Sequence, residues 1–252
     1  GGSSSVTGEP CPAGQYCEAG TTEPMPCQAG YYCPQGSSTA TQNVCADGEW
    51  SGEGSSSCSA CPDGTYSSTP AEKVSATSCA SCAAGRYGNT LSSNADCTGP
   101  CSAGYYCPER SGSNIALECG GAYVYCPEGS SIPLTVPAGK KSTGGMEATR
   151  TGYVDCVAGY YCTGGVQTQC EPGEYSETGA EACLPCPPGT YSDGSFLAVS
   201  DVCQGQCNAG SFCRGGSSSV TGEPCPAGQY CEAGTTEPMP CQAGYYCPQG
   251  SS

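Results

Sequence analysis

Cys170 to Ser192 read C-E-P-G-E-Y-S-E-T-G-A-E-A-C-L-P-C-P-P-G-T-Y-S. The string C-x-x-G-x-aromatic occurs twice here, from Cys170 and from Cys186, with one further cysteine, Cys183, between them. A glycine at a fixed place after a cysteine predicts a sharp turn at positive φ, a conformation that a β-carbon resists. The aromatic that follows can then lay a flat apolar ring over the neighbouring disulfide. Ser, Thr and Gly fill the joints, and no segment of the chain keeps a helical apolar period over about ten residues. The expectation is turns and hairpins, with almost no helix.

The same string recurs outward in both directions. It reads C-P-A-G-Q-Y from Cys11, C-Q-A-G-Y-Y from Cys27, C-A-D-G-E-W from Cys45 and C-P-D-G-T-Y from Cys61. It continues from Cys82, Cys101, Cys156 and Cys207, the last with Phe212 as its aromatic. Between Cys101 and Cys156 it decays: Cys119 opens C-G-G-A-Y, and Val136 opens V-P-A-G-K-K, with neither cysteine nor aromatic. Counting these two gives 12 modules of about 18 residues, and Cys225 opens the thirteenth in phase. A longer period lies above this one. Residues 1–38 are identical to residues 215–252, so residues 1–214 form one full long repeat and 215–252 begin the next. Such identity reads either as an artificial join or as a window cut from a tandem array of nearly identical repeats.

Composition agrees with a scaffold that lacks an ordinary core. Leu, Ile, Val and Phe number 20 of 252 residues, Gly and Pro 60, and the net charge is −16. Apolar burial on that scale cannot offset the conformational entropy of folding, whereas 26 cysteines can restrict the unfolded chain. An even, dense cysteine count points to an oxidising, extracellular or cell-surface setting. The absence of an initiator Met and of a signal peptide suggests a mature piece of something longer. No apolar run approaches the 18 or so residues of a membrane span.

If each module starts at its motif cysteine, one more cysteine follows before the next module. Sequential pairing then joins Cys11 to Cys17, Cys27 to Cys33, Cys45 to Cys58, Cys61 to Cys79, Cys82 to Cys97 and Cys101 to Cys107. It continues with Cys119 to Cys126, Cys156 to Cys162, Cys170 to Cys183, Cys186 to Cys203 and Cys207 to Cys213. Cys225, Cys231, Cys241 and Cys247 repeat the first two pairs. An interleaved scheme, such as Cys11 with Cys27 and Cys17 with Cys33, satisfies parity in the short modules equally.

Other chemistries find little footing. With no histidine, imidazole catalysis and imidazole metal sites are absent, and no base is at hand to activate a serine. Cys58, Cys61, Cys79 and Cys82 have zinc-ribbon spacing, but these pairs fall where one module ends and the next begins, as do Cys183 and Cys186. No βαβ pattern surrounds any C-x-x-C pair, as thioredoxin-like chemistry requires. Carboxylates such as Glu18, Glu23, Asp47, Asp63 and Asp155 are scattered singly, without a calcium loop, and read as a solvated, self-repelling surface. Seven Lys and Arg against 23 Asp and Glu give no basis for a nucleic-acid surface. The clusters Ser3–Ser5, Ser55–Ser57 and Ser217–Ser219 read as O-glycan acceptors or as plain turns, and no N-x-[ST] sequon occurs. No cofactor, metal site or enzymatic activity is expected.

The stretch from Cys170 to Ser192 resembles the ephrin-receptor-like cysteine-rich repeats, and also the smallest single-disulfide modules of tumour-necrosis-factor-receptor domains. The likeness covers nearly the whole chain and is weakest from Cys119 to Arg150. The short C-x5-C module, as at Cys27 to Cys33, departs from the receptor pattern. The resemblance implies elongated, disulfide-laddered modules with short β-hairpins in secreted or surface proteins, including surface or mastigoneme-like flagellar-hair components of protists.

The reading that unites these observations is a small disulfide-rich repeat fold, an elongated rod of ~18-residue modules, serving as a structural part of an extracellular filament. Its partner would be itself, along the fibre or laterally. The alternative is a ligand-binding ectodomain, which should carry one divergent aromatic- or Arg-rich patch where a fibre reuses one surface.

Overall fold

The computed structural model describes residues 8–252. The Ser3–Ser5 cluster and the start of the first long repeat lie outside the described residues.

Each module begins with a turn set by its motif glycine. In the first, Gln15 N–H donates to Pro12 O at 3.1 Å, and Gly14 takes φ +85° at the third turn position, which is a type II β-turn. The same left-handed glycine recurs at every C-x-x-G string and at Gly139 of V-P-A-G. The module at Cys119 differs. There Val124 N–H donates to Gly121 O, which puts Tyr123 in the third turn position without a positive φ. A tyrosine cannot take the glycine's place in a type II turn, so C-G-G-A-Y builds a turn of another type.

After the turn the chain forms one short strand, loops out, and returns antiparallel. Gln15–Tyr16 pairs with Met25–Pro26 in the register Gln15↔Pro26 and Tyr16↔Met25. Thirteen such two-stranded sheets are present among the described residues, and helix is limited to 3-10 turns at Pro70–Lys73 and Glu147–Thr149. Most strands are two residues long. Two hairpins are longer, with four residue pairs each: Lys140–Thr143 with Gly152–Asp155, and Tyr160–Thr163 with Val166–Gln169. The first belongs to the module without cysteine, the second to the module bridged by Cys156 and Cys162.

In every hairpin but that of the cysteine-free module, where Lys141 faces Val154, an aromatic faces the residue two before the next module's start. In five modules that partner is Met25, Leu117, Leu134, Leu184 or Met239, which makes an apolar cross-strand pair. Elsewhere it is small or polar, as with Asn43, Thr168 and Glu223. The interior proper is sulfur. Among the described residues only Val124, Val136 and Phe212 of the Leu, Ile, Val and Phe set are buried, and fifteen of that set are exposed, whereas eighteen cysteines are buried.

The chain divides into two compact units. One runs to Cys119 and takes in Cys126–Pro133; the other takes Gly120–Tyr125 and Leu134–Ser252. In the second unit Gln229↔Pro240 and Tyr230↔Met239 repeat the register of the first hairpin. The identical sequence therefore builds the identical hairpin at both places.

Candidate functional site

What repeats among the described residues is the joint between modules, and the cysteines frame it. Every cysteine is bridged to the next one along the chain: Cys11–Cys17, Cys27–Cys33, Cys45–Cys58, Cys61–Cys79, Cys82–Cys97, Cys101–Cys107 and Cys119–Cys126. Then follow Cys156–Cys162, Cys170–Cys183, Cys186–Cys203, Cys207–Cys213, Cys225–Cys231 and Cys241–Cys247. Cα–Cα distances of 5.7 to 6.1 Å suit the bond without backbone displacement. Cys58, Cys61, Cys79 and Cys82 sit in three separate bridges, so they present no set of four thiolates. Among the described residues no group of three His, Cys, Asp or Glu side chains is placed to hold a metal.

The motif glycine does more than turn the chain. Its carbonyl accepts from the next module's leading cysteine, as in Cys27 N–H to Gly14 O at 3.0 Å and Cys186 N–H to Gly173 O at 2.8 Å. Its own N–H donates into that next module, as in Gly14 to Cys33 O at 2.7 Å and Gly173 to Ser192 O at 2.7 Å. A third bond returns, as in Gly36 N–H to Cys11 O at 2.8 Å. Backbone alone makes these bonds, so the joint does not depend on which side chains a module carries. The glycine also touches the module beyond the next. A β-carbon on Gly48 would meet the Leu91 backbone at 2.8 Å, and one on Gly210 would meet Gly250 O at 2.6 Å. Gly14 and Gly54, and Gly173 and Gly216, repeat this approach. Sequence reasoning assigned the glycine to the turn and missed this second constraint, because the module two places on is not visible from the motif.

A second position, six residues after the module start, also escaped that reading. In short modules it is the second cysteine, and in longer ones it is Ser51, Ser67, Ser176 or Ser192, all buried, or Gly88. Ser51 Oγ donates to Tyr31 O, Ser67 Oγ to Glu49 O and Ser176 Oγ to Tyr160 O, each reaching the preceding module at 2.8 to 2.9 Å. The signal was present as a Cys/Ser alternation at a fixed offset. In these three modules, which lack the six-residue bridge, the serine ties the module backward instead.

The serine clusters divide by use. Ser55 Oγ donates to Gly52 O and Ser217 Oγ to Arg214 O, each closing a local turn. Ser56, Ser57 and Ser218 are exposed. Two of the exposed carboxylates are also paired. Asp47 pairs with the buried Lys73 ammonium at 2.7 Å, and Asp155 pairs with Lys140. That hydrogen bond holds the Lys140 ammonium above its ordinary range, against a smaller opposing effect of burial.

The module from Val136 to Asp155 stands apart in chemistry. It has no bridge, and Lys140, Lys141 and Arg150 outweigh Glu147 and Asp155, making it the one module with net positive charge. Lys140 also sits 5.5 Å over the Tyr153 ring, which meets Tyr125 edge-on at 4.9 Å. Lys141 and Arg150 form no ion pair among the described residues.

No family model matches the chain, and no curated protein matches its sequence. Its identity therefore rests on the module: this is a cysteine-rich repeat protein of tandem, disulfide-stapled two-stranded hairpins.

Proposed function

We propose that the chain is a stretch of an extracellular structural filament, built by tandem continuation of disulfide-stapled modules, without catalytic activity. The observation that carries this reading is the backbone joint. Because the backbone bonds that recur at each joint ask only for the glycine, modules can be added without limit, as a linear array requires. Thirteen bridges favour an oxidising, extracellular setting. The exact return of residues 1–38 at 215–252 favours reuse of one surface at regular intervals. Exposed Ser56, Ser57 and Ser218 are the serines of these clusters most open to O-linked glycans. The likeness to ephrin-receptor-like repeats supports a surface protein, and a flagellar hair is one structure of this type.

The test is length. Chains holding one, two and four copies of the 214-residue unit are imaged by negative-stain electron microscopy. Particle length rising in proportion to copy number supports the reading; particles that stay compact overturn it. A second reading, a ligand-binding ectodomain, draws on one observation, the cationic, bridge-free module at Val136–Asp155. It predicts a single saturable ligand per unit.

A further inference from the structure

The exposed aliphatic residues are mostly spread in ones and twos, but one stretch gathers four large ones within seven residues. Phe196, Leu197, Val199 and Val202 lie in the loop between the bridged Cys186 and Cys203, and Phe196 is 73% exposed. This loop is built to stand where it does. Asp193 accepts from Ser195 N–H at 2.8 Å and from Ser195 Oγ at 2.6 Å, and Gln204 closes the base through Asp193 N–H and Ser195 Oγ, both at 2.9 Å. Ala198 is buried, and its carbonyl accepts from Ser176 N–H. Leu197 covers Gly159, where an added β-carbon would meet it at 2.8 Å. With Ala198 and Leu197 anchored, Phe196, Val199 and Val202 are held outward instead of collapsing onto the chain. Contiguous exposed apolar surface on an ordered frame marks an interaction site.

The loop also carries Asp193 and Asp201 and no cation. Its electrostatic complement exists once per unit, on the hairpin Lys140–Thr143 with Gly152–Asp155 and its connecting turn. Lys141 and Arg150 lack ion pairs among the described residues there, and Met146 on the turn is 80% exposed. We propose that the Phe196 loop of one chain docks on the Lys141–Arg150 hairpin of a second copy, with Phe196 against Met146 and Asp201 near the two cations.

The contact is heterologous, loop to hairpin, so in a docked pair one chain keeps its loop unused and the other its hairpin. Unless the reciprocal contact forms within the same pair, further chains add at both ends. They would bind filaments side by side. The inference rests on the filament reading, but tandem continuity along the chain stands without it.

The experiment measures self-association of the intact, oxidised chain by sedimentation velocity across concentration and salt. Association that weakens as salt rises is expected, since Asp201 is exposed and Lys141 and Arg150 are only half-buried. Phe196→Ser should weaken it by about tenfold, the scale of a truncated interface aromatic. Arg150→Glu should weaken it similarly. An equimolar mixture of Arg150→Glu with Asp201→Lys should associate better than either alone, because the reversed charges attract across one of the two possible contacts. Thermal unfolding of each variant checks that the fold is kept; if Phe196→Ser alone fails to fold, the charge-reversal mixture decides. A chain that stays monomeric, or variants that associate as the parent does, overturns the lateral contact. The copy-number length series would be unaffected by either result. Association sustained only by an added sulfated glycan also overturns it, and assigns the cationic hairpin to that ligand.

Discussion

At the scale of the residue, left-handed glycines carry one load at the second turn of a module and two at the motif position, and substitution can weigh them. Gly36 takes φ +85° with open space around its Cα, so Gly36→Ala should cost only the left-handed strain, about 1–2 kcal/mol. Gly14 takes the same φ, but its β-carbon would strike Gly54 O two modules away. Gly14→Ala should therefore cost about 3 kcal/mol or more by thermal unfolding, as strain and overlap add. Equal losses would mean that the approach between alternate modules is dispensable. Arg110 poses the reverse case. It takes φ +65° at the turn position that Gly36 and Gly54 occupy in other modules, and Arg110→Gly should raise stability by about 0.5–1 kcal/mol. Asp193 offers a pH test. Hydrogen bonds from Ser195 hold its carboxyl below the ordinary Asp range. A depressed folded value means the stabilisation is complete above the ordinary Asp range and is lost as pH falls through the folded one. Protection of the Ser195 amide, its exchange rate relative to the unstructured rate at the same pH, should fall on acidification through that window and stay constant from neutral pH upward. The turn itself was legible in C-x-x-G, because only φ decides it and glycine announces φ. Its second role was not, since a clash partner some forty residues downstream leaves no mark beside the motif.

At the scale of the element, the bridge-free module keeps the frame of its neighbours without sulfur. Val136 is buried at the place of a leading cysteine, Ser142 stands six residues on, and the ladder lengthens to four pairs. Val136→Cys with Ser142→Cys should form a fourteenth bridge and stabilise the module by about 2 kcal/mol on the loop-entropy scale. Mass mapping of non-reduced peptides and thermal unfolding check it; two free thiols in the folded chain would refute the equivalence. The same module sets mechanical slack. Cys126 and Cys156 are 30 positions apart with no bridge between them, whereas Cys33 and Cys45 are 12 apart. That interval should yield the largest single extension under force, up to about 100 Å when drawn out. The engineered bridge should shorten it by roughly 15 Å, recovered on reduction. Hairpins as a class were legible from turn residues flanking aromatics. The long ladder was not, because V-P-A-G-K-K lacks both marks by which the other modules announce themselves.

At the scale of the whole molecule, the division of labour between backbone and sulfur governs how the chain can vary. Since the joints are made by N–H and C=O groups, loops between bridged cysteines can lengthen from a separation of 6 to one of 18 without disturbing the ladder. Full reduction should unfold both units, because fifteen of the twenty Leu, Ile, Val and Phe residues are exposed and too little apolar burial remains to hold the backbone. Far-ultraviolet dichroism before and after reduction measures this, and an unchanged spectrum would refute it. The sequential bridging has one more consequence, and it concerns manufacture. No cysteine waits for a partner more than 18 residues away. A chain threading into a secretory compartment can therefore oxidise each module as it emerges, with no pairing choice deferred to the end. Folding of this kind proceeds by local contacts and is indifferent to total length. A gene for such a protein can grow by whole-unit duplication without making its product any harder to fold.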